Sequence, residues 1–124
     1  MGTYANDKLV MLYFQTGDGV NDGADEGYAA PLKNFRGFRF IADTDAIEMQ
    51  FDSMLGTGAD IAAVDKVVLN ITAAKQHLVI ADITAAINGL KFGDGFVTIA
   101  DDATSTYVSS NISSCGAITV TAAA

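Results

Sequence analysis

The sequence predicts an α+β domain: a mainly antiparallel, strongly curved small sheet or partly open barrel packed with one helix. Three observations lead there. Short apolar runs recur along the chain between polar turns, several of them with a period of two, as strands joined by hairpins do. One stretch, 73–88, carries a helical stripe. The 124 residues suit one domain, 1–124, with a single core.

Each element has its own justification. Residues 1–7 are a polar lead-in. Residues 8–15 place apolar side chains on both parities, which predicts a strand covered on both faces. Residues 16–30 set Gly17, Gly19, Gly23 and Gly27 among Asp18, Asp22, Asp25 and Glu26. Acid repulsion and the entropy of glycine predict a long exposed loop there, closed by Pro31. Residues 35–42 predict a second strand, with Phe38 and Phe40 on one parity and Gly37 and Arg39 on the other. Asp43, Thr44 and Asp45 form a turn. Residues 46–53 then alternate, with Ile47, Met49 and Phe51 inward and Glu48, Gln50 and Asp52 outward. Residues 55–65 read as a connector. Residues 66–71 are a fourth strand, with Val67, Leu69 and Ile71 on one face.

The helix over 73–88 begins after Thr72, a good cap, and stops at Gly89, where a left-handed residue is expected. Val79, Ile80, Ile83, Ala86, Ile87 and Leu90 share a stripe roughly 120° wide. Residues 92–95 are a turn and 96–100 a fifth strand. Residues 101–116, rich in Ser, Thr and Asp, read as a loop or irregular edge. Residues 117–121 are a short last strand. The expected core is Ile47, Met49, Phe51, Val67, Leu69, Ile71, Val79, Ile83 and Ile87. A long loop over 16–34 between the first two strands suits an SH3-like or Sm-like small barrel. A parallel crossover between 66–71 and 96–100, through the helix, is the other arrangement.

Composition removes several functions. The formal net charge is −8, from fifteen acids against seven bases. A generic nucleic-acid coat, which works by neutralising phosphates, needs the opposite balance. One Cys excludes an intrachain disulfide framework and a thiolate zinc site, and one His excludes schemes that need two. No apolar run is long enough for a membrane span, and no basic segment leads into an apolar one as in a signal peptide.

Candidate chemistry is sparse. Residues 18–23 have the carboxylates and glycines of a calcium loop. With Asp18 first, however, Val20 and Ala29 stand where oxygen ligands belong, so no metal is expected. His77 falls on the polar face of the helix and reads as a surface side chain. Cys115 has no base nearby in sequence to make a thiolate. Asp101 and Asp102 read as turn formers, and an enzymatic site within 101–116 is a third reading. No catalytic residue and no cofactor is expected.

Lys33, Arg36 and Arg39 form the basic cluster, interleaved with Phe35, Phe38 and Phe40. Such a pattern can bind nucleic acid. The alternation instead places at least two of the Phe on the core face. The cations then suit the acidic loop of a neighbouring copy, so self-association is expected and nucleic acid is not. Leu78, off the helix stripe, is a second contact. The candidate interface is therefore Lys33, Arg36, Arg39 and Leu78.

Residues 65–72 (Asp-Lys-Val-Val-Leu-Asn-Ile-Thr), the helix end from Ile83 to Asn88, 94–102 and 109–112 resemble small uncharacterised proteins of marine phages and marine metagenomes. Those proteins sit mostly among virion or assembly genes. The likeness covers 65–112 and carries no functional residues across. It implies a viral structural or accessory role, in the virion or the host cytoplasm, with other virion proteins as further partners. The expected function is a non-enzymatic, self-associating structural or interaction protein. The alternative is a ring-forming Sm-like module that binds RNA or another ligand.

Overall fold

A computed structural model describes residues 10–17, 26–42, 44–53, 64–89 and 95–120. Its strands are β1 (Met11–Gln15), β2 (Gly27–Pro31), β3 (Phe35–Phe40), β4 (Ala46–Asp52) and β5 (Val64–Ile71). The helix α1 (Gln76–Asn88) follows, then β6 (Phe96–Asp101), β7 (Thr106–Tyr107) and β8 (Ile112–Thr119). A 3-10 turn, Leu32–Asn34, joins β2 to β3.

The strands divide into two four-stranded sheets, ordered β2-β1-β6-β7 and β3-β4-β5-β8. The fold is α+β, and every strand pair is antiparallel except β1 with β6. No closed barrel forms among the described residues. The parallel pair is not the expected one. After β5 the chain crosses through α1 into the other sheet, and β6 lies beside β1.

Both sheets turn alternate residues into one core. The first contributes Leu12, Phe14, Tyr28, Val97 and Ile99. The second contributes Ile47, Met49, Phe51, Val67, Leu69 and Ile71, and α1 adds Val79 and Ile83. Of the nine expected core residues, eight are buried and Ile87 is half-buried against them. Four rings bind the layers: Phe51 lies 5.8 Å from Phe14, 5.5 Å from Tyr28 and 5.4 Å from Phe35.

β1 is covered unequally. Leu12 and Phe14 are fully buried, while Met11 and Tyr13 are half-buried. The expected long loop does not extend through 27–31, which pair with β1 as an edge strand. Pro31 fits at the end of such a strand, where it has no ladder N–H to supply. Asp18, Asp22 and Asp25 of the acidic loop lie outside the described residues. So do the 1–7 lead-in, most of the 55–65 connector, Leu90, all but Gly95 of the 92–95 turn, the last residue of the 117–121 strand and the 122–124 tail.

In β3 a bulge corrects the expected parity. The register shifts between Phe35 and Gly37, and Gly37 takes φ 142°, a conformation side chains resist. Phe35 and Phe38 therefore share the core side and meet edge-on at 5.1 Å, while Phe40 is 59% exposed. Two Phe do face the core, but they are not the alternating pair.

α1 starts three residues later than expected. Thr72 does not cap it: Lys75 holds the cap position without a side-chain bond, and Ala74 has φ 62°. Gly89 ends it in the right-handed region, at φ −78° and ψ −1°.

The largest correction concerns 101–119. Thr106–Tyr107 is a strand, and β8 runs over eight residues rather than beginning at Ala117. Its inward residues are Ile112, Cys115 and Ile118, three apart instead of two. Two register shifts against β5 explain this spacing, because each inserts one extra residue. Gly116 sits in one of them. A Cβ there would lie 3.1 Å from both the Val68 carbonyl oxygen and its Cγ1, so the close strand approach favours glycine.

Candidate functional site

The residues with chemical potential in 101–116 converge where the two sheets meet. Asp101 ends β6, and its Oδ1 accepts the backbone N–H groups of Ala103 and Thr104 at 3.0 and 3.4 Å. This is the local turn bonding that short acidic side chains favour. Asp102 does more. Its Oδ1 accepts the Tyr107 hydroxyl at 2.7 Å and the Cys115 backbone N–H at 2.9 Å. Its own backbone N–H donates to the Gln15 carbonyl at 2.9 Å. The Thr16 hydroxyl donates to the Cys115 carbonyl at 3.2 Å. One side chain thus joins β7 to β8, while its backbone holds β1.

The electrostatics of this seam oppose nucleophilic chemistry. Burial pushes the Cys115 thiol up to about 12, with the negative charges of Asp102 and Asp101 adding to it. A reactive thiol needs the reverse, a positive field that lowers it. The hydrogen bond to Asp102, then burial, then the Asp102 charge raise the Tyr107 phenol to about 12. Both groups therefore stay protonated at neutral pH.

The expected interface residues are placed differently from one another. Lys33 is exposed in the 3-10 turn. Arg36 and Arg39 both reach across to their own neighbour strand. Arg36 pairs with Asp52 at 3.4 Å on the surface, an ion pair that contributes little. Arg39 stands directly opposite Glu48 and donates to both its carboxylate oxygens, at 3.2 and 3.4 Å. Burial alone would raise Glu48. Hydrogen bonds from Arg39 and Gln50 and the charges of Arg39 and Lys66 outweigh it and hold the carboxyl below its usual range. Glu48 keeps the outward parity that alternation predicts, yet these neighbours leave it only 5% exposed. Leu78 is 42% exposed on α1, a different element from the cations. His77 is exposed on the same helix.

Two polar contacts were not legible as sites. Asp65, which reads as connector, is a fully buried β5 residue, and the Tyr28 hydroxyl donates to it at 2.8 Å. Burial, then the bond to Asp65 and its charge, raise the Tyr28 phenol well above its ordinary value. The available signal was parity, since Asp65 shares the face of Val67, Leu69 and Ile71. The second contact is Ser109, buried, whose hydroxyl donates to Asp82 of α1 at 2.6 Å and pins the helix to the 108–111 segment. No periodicity marks that pair.

Among the described residues no group of three or more His, Cys, Asp and Glu could hold a metal ion. No helix among them is long and apolar enough to cross a membrane. No known family, no curated protein and no solved structure matches this chain.

Proposed function

We propose that this protein is a non-enzymatic structural or interaction protein that associates with copies of itself, as a virion or assembly component. The observation that carries the reading is the seam at Asp102. There Asp102, the Tyr107 phenol and the thiol-bearing strand are engaged in joining two sheets, with thiol and phenol held protonated. The virion part of the reading rests on the likeness of 65–112 to small marine phage proteins.

Arg36 and Arg39 already have partners within the chain, so charge supplies orientation rather than cohesion. Apolar side chains carry the association, and among the described residues Phe40, Phe96 and Leu78 are the large exposed ones. The sheet edges disfavour strand addition. β7 has two residues, β2 ends in Pro31, and β3 and β8 are bulged.

Sedimentation velocity at about 0.05 and 1 M salt tests this, because screening shortens to roughly 3 Å at the upper value. An oligomer at both concentrations is expected. One that dissociates at high salt would make charge the dominant force. A monomer at every accessible protein concentration would refute self-association. The curved small-barrel reading, a ring holding RNA or another ligand, draws on the bulges that bend β8. It would gain if a ring formed and retained single-stranded RNA.

A further inference from the structure

We propose that Asn88 is a site of spontaneous deamidation, reached through opening of the last turn of α1. Asn88 is the last residue of the helix and Gly89 its cap, and both are exposed. In the reaction the Gly89 backbone nitrogen gives up its proton to base and attacks the side-chain carbonyl carbon of Asn88. A new C–N bond forms, the bond to the side-chain nitrogen breaks, and ammonia leaves. Water then opens the resulting succinimide at either carbonyl, giving aspartate or isoaspartate. Glycine after the asparagine leaves the attacking nitrogen uncrowded, because it has no Cβ.

The fold guards this step without blocking it. The Gly89 N–H is held in a bond shared between the Ala85 and Ile87 carbonyls, and Gly89 keeps helical angles. The nitrogen must leave that bond, and Asn88 must leave the helical backbone, before the side-chain carbon can reach it. The turn is built to open. Gly89 does not make the left-handed cap that closes many helices, and the last turn carries no basic side chain to bind its carbonyls. Helix ends of this kind fray locally, well short of global unfolding. The product also favours further opening. A new carboxylate there sits at the negative end of the helix macrodipole, with no cation in that turn to offset it.

The test is incubation of the full chain at mildly alkaline pH, in native buffer and in concentrated urea. Peptide mapping by mass spectrometry, with aspartate and isoaspartate separated by chromatography, follows the 88–89 site. Conversion is expected in native buffer and several-fold faster in urea. Gly89→Ala should slow it in both. That variant is sterically accommodated, since φ is negative and nothing lies within 4 Å of an added Cβ. Equal rates in buffer and urea would show that α1 does not guard the site. Conversion in urea alone would show that the turn does not open. Either result overturns the proposal, as does an unmodified Asn88 under both conditions.

Discussion

Replacing Phe51 by alanine tests the core where the two sheets meet. The ring is fully buried and lies within 6 Å of the Phe14, Tyr28 and Phe35 ring centres. Removing a buried Phe costs about 3–5 kcal/mol in lost transfer energy and cavity formation. Each aromatic pair adds about 0.5–1.5 kcal/mol beyond its area. Three such pairs disappear together, and the neighbours come from three different strands, β1, β2 and β3, of both sheets, so they cannot collapse easily into the space. The upper half of the range, about 4–5 kcal/mol, is expected. The informative comparison is with Phe38→Ala and Phe40→Ala. Strict alternation makes 38 and 40 equivalent, whereas the bulge at Gly37 leaves Phe40 59% exposed and packs Phe38 on the core. Phe40→Ala should stay within about 0.5 kcal/mol of the parent, and Phe38→Ala should cost clearly more. Urea unfolding with a common slope measures all three. A Phe51→Ala cost below about 2 kcal/mol, or equal costs at 38 and 40, would refute the reasoning.

Three further outcomes follow from the same packing and electrostatics. Gly116→Ala should destabilise by about 1–3 kcal/mol, since the Val68 carbonyl cannot rotate away as a side chain would; an unchanged urea midpoint would mean β8 shifts freely. Raising pH should weaken the fold from about 9 upward. The Cys115 thiol moves from 9.0 to about 12 on folding, so its contribution is complete below the unfolded value and is lost as pH climbs through the folded one. Cys115→Ala should flatten part of that decline in urea midpoints; identical slopes for variant and parent would exclude the thiol as a cause. At the acid end, Glu48 lies below its ordinary 4.5 in the fold, so the stability it supplies is present above that value and fades as pH falls through the folded one. Arg39→Gln should make the acid midpoint of unfolding less dependent on this group, and no change in that midpoint would remove the ion pair from the account.

What the sequence determined by itself is whatever depends on local period and composition. The β3–β4 hairpin, the inward set Ile47, Met49, Phe51, Val67, Leu69 and Ile71, and the buried stripe of α1 were all legible, because alternation and a 3.6-residue repeat state which side is apolar. The exclusion of a reactive Cys115 was also legible in part, from the scarcity of bases. Tertiary structure decided the rest, for one physical reason: a bulge or a partner strand far away in sequence changes which residues face the core. Phe35 replaces Phe40 because of a single extra residue at the β3 bulge. Ile112, Cys115 and Ile118 escape a period-two search because β5 imposes two bulges on β8. Asp102 reads as a turn residue in sequence. It becomes the joint between sheets only when β1, β7 and β8, distant along the chain, bring Gln15, Tyr107 and Cys115 to it. Asp65 looks like part of a polar connector until β5 carries it inward beside Tyr28, where burial makes a hydrogen-bond partner obligatory.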